Sequence, residues 1–141
     1  MSTDFGSVAT PTPALPQSIL KGTAQNSKIF IQAEYQGRYD RNNQFGQPKP
    51  GDKYVKFYVT VKNVGYPNKQ IGNPQSFKLF DSNNEGHSPV ALSHGEEGLT
   101  GITKSDPGDE SAGLLIFEIK QNAEPVKLTY NNYDSDLTIN L

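Results

Sequence analysis

The strictest alternation of apolar and polar positions in the chain lies in residues 54–62. Its odd-numbered positions from Val55 to Val61 are apolar, whereas the even-numbered positions from Tyr54 to Lys62 carry polar or tyrosine side chains. Successive side chains of a β-strand point to opposite faces of the sheet. The alternation therefore predicts a strand with one face in a hydrophobic core and the other toward water.

Other short apolar segments follow the same pattern and are separated by turn-forming residues. Leu115, Phe117 and Ile119 share one predicted face, and no ten-residue window has a helical period. We therefore expect an all-β, immunoglobulin-like antiparallel β-sandwich of about seven strands. The predicted strands are residues 28–35, 54–62, 76–80, 89–92 (as a hairpin partner of 76–80), 113–120, 126–130 and 137–141.

Composition divides the chain into a tail and a domain. Residues 1–18 are rich in Thr, Pro and Ala, and three of the six positions 11–16 are Pro, which predicts an extended or flexible spacer. Residues 19–141 form the predicted sandwich, interrupted by a polar loop at 36–52. These two polar stretches explain why the hydrophobic fraction is only 33%.

Charge and residue usage exclude several functional classes. The 13 basic and 15 acidic residues give a net charge of −2 without a basic cluster, which argues against nucleic-acid binding. No apolar run approaches the ~18–20 residues that span a bilayer, so we expect no membrane span in this chain. The absence of Cys excludes disulfides, thiolate nucleophiles and Cys-ligated metals.

Three sequence blocks resemble a known family. Residues 51–65, 77–86 and 106–119 are similar, in order and spacing, to blocks of a broad family of exported immunoglobulin-like β-sandwich domains of unknown function. These domains occur in bacteria and archaea after a lipoprotein or secretory signal and a low-complexity spacer. The resemblance implies an extracellular or cell-surface module whose export segment is absent from this chain, and it supplies no catalytic residue. The sequence departs from the family pattern in its loop 36–50 and in Asp106, where an apolar residue is common.

Two groups of residues are candidate metal ligands. Asp81, Asn83 and Glu85 imitate the start of a calcium loop, but the twelfth position, which an EF-hand fills with Glu, is Leu92. A plain hairpin turn needs the same residue types for backbone reasons. His87 and His94, with Glu96 and Glu97 close by, are the other candidates, although their spacing matches no compact metal motif. We therefore expect no cofactor, with calcium as the alternative, and no enzymatic activity.

Two surface features suggest protein contacts. Tyr54 and Tyr58 share the predicted outward face of the best strand, where exposed aromatic side chains can form an interface or stack on sugars. Ile19 and Leu20 lie in the segment 17–21, which could donate a strand to a neighbouring subunit. The sequence thus favours a noncatalytic surface interaction or adhesion module with a protein or cell-envelope partner. The alternatives are a filament subunit that self-associates by strand donation and a sugar- or metal-binding module.

Overall fold

The computed structural model describes residues 21–39, 47–90 and 97–141, which form ten strands where the sequence predicted about seven. The strands are β1 (Lys21–Gln25), β2 (Ile29–Arg38), β3 (Asp52–Asn63), β4 (Lys69–Ile71), β5 (Phe77–Asp81), β6 (Gly86–His87), β7 (Ile102–Ser105), β8 (Glu110–Lys120), β9 (Pro125–Asn132) and β10 (Ser135–Asn140). One turn of 3-10 helix, Pro74–Ser76, precedes β5. Within the described ranges, no helix is long and apolar enough to cross a membrane. The predicted tail, residues 1–18, lies outside them.

The strands form two four-stranded sheets and a short ribbon. The first sheet has the order β1-β2-β3-β8, the second has the order β10-β9-β5-β6, and β4 pairs with β7. All of these pairings are antiparallel. The arrangement is the all-β, immunoglobulin-like sandwich that the alternating segments predict.

The two sheets bury the apolar faces that the alternation identifies. Phe57 of β3 meets Phe117 of β8 edge to face, with ring centroids 5.8 Å apart, and Phe77 of β5 packs on Tyr130 of β9 at 4.8 Å. Such aromatic pairs stabilise the core by more than the area they bury, because ring edges are electropositive and ring faces are electronegative. The fully buried side chains of this layer include Ile29, Ile31, Ala33, Val55, Val59, Val61, Leu79 and Leu128.

One predicted strand is wrong. The hairpin partner of β5 is β6, with His87 opposite Leu79, whereas the sequence placed that partner at residues 89–92, of which 91 and 92 lie outside the described residues. Val90 instead bridges to Ile116 of β8, and Gly98 bridges to Leu114 of the same strand. These short contacts cover part of the outer edge of β8, whose unpaired backbone groups would otherwise invite pairing with another chain.

Asn63, at the end of β3, is fully buried and has all its polar groups hydrogen-bonded. Its side-chain Nδ2 donates to the Tyr66 carbonyl and to Ser105 Oγ, both at 2.7 Å, and its Oδ1 accepts from Tyr66 N at 2.8 Å. Its backbone N–H donates to the Asp109 carbonyl, and its carbonyl accepts from Gly108 N. This one residue therefore joins β3, the following loop, β7 and the turn before β8.

Two glycines of the family-like blocks are fixed by close backbone approaches. A Cβ at Gly65 would lie 2.6 Å from the Ser27 carbonyl oxygen, and one at Gly113 would lie 2.5 Å from Leu99 N. Both distances are too short for a side chain, and the atoms in the way belong to backbone. Glycine is therefore required at both positions for packing.

The Phe117→Ala variant tests the core assignment. Removing this fully buried ring leaves a cavity between the sheets, which should lower the free energy of unfolding by about 3–5 kcal/mol. The measurement is urea unfolding followed by circular dichroism, with the exposed Val126→Ala change on β9 as the control. Equal urea midpoints for Phe117→Ala and wild type would contradict the assignment.

The Asn63→Asp variant tests the buried network. The substitution keeps the shape but removes both donors, so the Tyr66 carbonyl loses its partner and a carboxyl group enters the core. Each buried group left without a partner costs about 1–3 kcal/mol. We expect a clear fall in the urea midpoint, whereas Asn131→Asp at an exposed position of β9 should leave it nearly unchanged.

Candidate cation site at the edge of the sandwich

The turn between β5 and β6 is organised by the carboxylate of Asp81. Asp81 Oδ1 accepts hydrogen bonds from the backbone N–H groups of Asn83, at 2.9 Å, and Glu85, at 3.0 Å. Asn84 sits between them with a φ of 64°, a left-handed conformation that Asn tolerates. The Asp and Asn residues of this segment therefore have the backbone role of a plain turn, and in these contacts Asn83 takes part through its backbone.

The same turn brings three potential ligands together. His87 Nε2 donates to the other carboxylate oxygen of Asp81, Oδ2, at 2.7 Å. One ligand atom from each of Asp81, Glu85 and His87 lies within 4.8 Å of the others. Asp81 is buried, His87 is partly exposed and Glu85 is exposed. Of the residues that the sequence suggested, these three converge, whereas His94 lies outside the described residues.

The hydrogen bonds decide the charge state of Asp81. Burial raises its pKa, but the hydrogen bond from His87 and those from the two backbone N–H groups together outweigh this effect. The net pKa of Asp81 therefore lies below its ordinary value. The carboxylate is ionised at neutral pH, as a cation ligand must be.

Glu85 and His87 open onto a cavity of about 480 Å³ between the edges of the two sheets. We call it the edge cavity. Its wall comes from the segment before β3, the start of β3, the β5–β6 hairpin and the end of β8. The ionisable residues in that wall are Lys49, Asp52, Glu85, His87, Glu118 and Lys120.

Asp52 is the functional candidate that sequence reasoning missed. Its side chain is only 9% exposed, and its Oδ1 is buried without a hydrogen bond. The ammonium group of Lys120 lies 3.8 Å from this oxygen. Local sequence gives no signal for this role, since Asp52 stands in a Gly- and Pro-rich segment that resembles a simple turn. Only the pairing of β3 with β8 brings it to the cavity.

The ligand types in and beside the edge cavity match a transition metal better than calcium. Calcium takes six to eight oxygen ligands, and one oxygen of Asp81 is already used by two backbone N–H groups. An imidazole with carboxylates is instead a ligand set of zinc and related divalent ions. Calcium binding remains a prediction, since the described residues of this site do not form a set of six to eight oxygen ligands.

The predicted tyrosine pair is corrected by burial. Tyr58 is 40% exposed on the outward face of the first sheet, as expected. Tyr54 shares that face by alternation but is buried, because Tyr39, Ile116 and Val90 form a small second cluster around it. Burial raises the pKa of the Tyr54 hydroxyl, and the nearby Glu118 charge adds to this rise.

The predicted strand donor lies mostly outside the described residues, including Ile19 and Leu20. Its last residue, Lys21, belongs to β1 and pairs with Glu34 of β2 within the same chain. That residue is therefore already part of the first sheet. Strand donation stays a prediction.

The Asp81→Asn variant should reveal a pH-dependent contribution to stability. Because the folded-state pKa of Asp81 is lowered, its stabilisation is present above the unfolded-state value of about 3.9 and is lost as pH falls through the folded-state pKa. We expect wild type to exceed Asp81→Asn in urea midpoint at pH 7, with the gap closing as the solution is acidified toward pH 3. The measurement uses metal-free buffer at several pH values, and a gap of constant size would contradict this account.

Solved structures with a similar fold include proteins described as exported. A secreted protein of Mycobacterium tuberculosis, MPT63, has a TM-score of 0.55 and 15% identity, over 85% of this chain and 90% of that protein. A candidate lipoprotein of Bacillus subtilis, ycdA, has a TM-score of 0.57 and 19% identity, over 81% of this chain and 35% of that protein. The yjhA protein of the same organism has a TM-score of 0.51 and 22% identity, over 81% of this chain and 80% of that protein. At these identities the likeness shows the sandwich fold.

The family assignment rests on the sequence of nearly the whole described domain. No curated protein matches this chain at a significant level. Residues 23–138, however, match one family from β1 to β10. This confirms the resemblance seen in the three sequence blocks. The chain belongs to the family of domains of unknown function called DUF4352.

Proposed function

We propose that this domain is a noncatalytic interaction module that works outside the cell or at its surface. Its family has no assigned activity, and two solved proteins that share the sandwich are described as a secreted protein and a candidate lipoprotein. Both descriptions support export of this chain. We infer a protein or cell-envelope partner, in agreement with the adhesion role that the sequence favours.

The observation that carries the interaction role is the outward face of the first sheet around Tyr58. Tyr58 is opposite Glu34 of β2 and Leu114 of β8, and it is 40% exposed. Phe30 and Leu114 lie half-buried on the same face. An exposed tyrosine supported by partly buried apolar neighbours is typical of a contact residue that dominates a protein interface. We call this surface the Tyr58 face.

The outward face is available at Tyr58 because the main core of the sandwich lies on the opposite side of the sheet. Residues that alternate with Tyr58 on β3, such as Phe57 and Val59, are fully buried against the second sheet. Unlike Tyr54 and Ile116, which pack in the second cluster on this face, the exposed Tyr58 side chain lies outside both buried clusters. A substitution of Tyr58 should change binding with little effect on stability.

The test compares two exposed positions on different sheets. Wild type, Tyr58→Thr and Val126→Thr are purified as full chains and mixed with isolated envelopes of the source organism, and co-sedimentation measures binding. Val126, on β9, is 43% exposed and serves as the matched control. We expect saturable binding that Tyr58→Thr weakens at least tenfold and Val126→Thr preserves.

Two results would overturn the proposal in different ways. Equal binding by wild type and Tyr58→Thr would remove the Tyr58 face as the contact surface. Absence of envelope binding by wild type, together with a monomeric state in sedimentation velocity, would remove the interaction role itself. Unfolding midpoints of the three proteins, measured in parallel, identify any loss of envelope binding that comes from misfolding.

A further inference from the structure

One buried carboxylate oxygen in the wall of the edge cavity accepts no hydrogen bond. The side chain of Asp52 is nine-tenths buried, and its Oδ1 accepts no hydrogen bond. The one nearby cation, Lys120 Nζ, is 3.8 Å away on a side chain that is more than half exposed. The ion pair with Lys120 at this distance supplies no hydrogen bond, and a buried carboxylate oxygen without a donor is costly, so this oxygen points to a ligand that enters the cavity.

The charges around the cavity favour a cation. Asp52, Glu85 and Glu118 line it, and the buried carboxylate of Asp81 lies directly behind His87. Two ammonium groups, those of Lys49 and Lys120, oppose these four carboxylates. Glu118 is partly compensated, because its Oε2 accepts a hydrogen bond from the backbone N of Lys49 at 2.9 Å. The remaining negative charge lies on the side formed by Asp52, Glu85 and Asp81.

The ligand atoms on that side are of mixed type. His87 contributes an imidazole nitrogen, whereas Asp81 and Glu85 contribute carboxylate oxygens, all within 4.8 Å of one another. Calcium and magnesium prefer oxygen ligands, but imidazole with carboxylate suits zinc and neighbouring divalent transition metals. The hydrogen bond between His87 and Asp81 marks the contact that such an ion would replace.

We propose that the edge cavity binds a divalent transition metal of the zinc class through His87, Glu85 and Asp81, with Asp52, at the start of β3, compensating part of the charge of the ion. A cavity of about 480 Å³ has room for the ion and for several of its waters, through which Asp52 can act. The partial exposure of His87 gives the ring space to move as the ion enters. This inference is independent of the Tyr58 face, which lies on the outward side of the first sheet.

The primary experiment is a titration of the tag-free full chain, stripped with chelator, with ZnCl₂ in a calorimeter. We expect one ion per chain and a rise in melting temperature. His87→Gln and Glu85→Gln should each weaken binding by about tenfold or more, as removal of a ligand or its support does elsewhere. His94→Gln, which changes the only other histidine of the chain, is the matched control and should bind as wild type does.

Asp52→Asn separates the proposed site from a structural role. Without metal, the variant should have a higher urea midpoint than wild type, because it removes a buried charge that lacks a hydrogen bond. With saturating ZnCl₂ that advantage should shrink or reverse. A midpoint lowered equally with and without zinc would instead mean that Asp52 supports the fold only, and would remove it from the site.

Three outcomes would overturn the proposal. Absence of zinc binding would do so, as would loss of binding in His94→Gln but not in His87→Gln. An equal response to CaCl₂ would assign the cavity to a hard oxygen-seeking ion instead. None of these results bears on envelope binding through Tyr58, so failure of either proposal leaves the other testable.

Discussion

The buried amide of Asn63 is the contact on which one end of this sandwich depends. The long ladder between β3 and the edge strand β8 ends with Lys62 opposite Glu110, and beyond this pair the two chain segments leave the sheet in different directions. Asn63 forms hydrogen bonds with the backbone of both segments. Its side chain binds Tyr66 in the loop after β3, and its backbone binds Gly108 and Asp109 in the turn before β8. A side chain with both a donor and an acceptor is needed here, which explains why an Asn stands after an otherwise alternating strand.

Six of the predicted strands could be recognised from sequence because each buries one face. The four that escaped prediction, β1, β4, β6 and β7, have weak or no alternation. β1, for example, reads Lys-Gly-Thr-Ala-Gln and pairs through its backbone with β2. Val90 was misassigned because an apolar run after a turn looks like a hairpin partner. Val90 instead bridges to Ile116 at the edge of β8, a partner 26 positions along the chain that the local sequence pattern cannot identify.

The candidate site divides in the same way between local and distant contributions. The sequence indicated Asp81 and Glu85 in one candidate group and His87 in another, and the tight turn brings these near neighbours together. Asp52 comes from another strand and reaches the cavity only through sheet pairing, so sequence spacing carries no information about it. For Tyr54, alternation predicted the correct face of the sheet but not its burial. That burial depends on Tyr39 and Ile116, which cover this end of the face.

The pairing of β3 with β8 also sets how this chain can fold. Asp52 pairs with Lys120 and Lys62 pairs with Glu110, so partners in this ladder are separated by 48 to 68 positions. The entropy of closing such a loop must be overcome before the contacts stabilise it. The β9–β10 hairpin, whose strands are joined by two residues, has no such barrier. We therefore expect the local hairpins to form early and the long-range pairing of β3 with β8 to form late, on the millisecond-to-second scale typical of folds rich in non-local contacts.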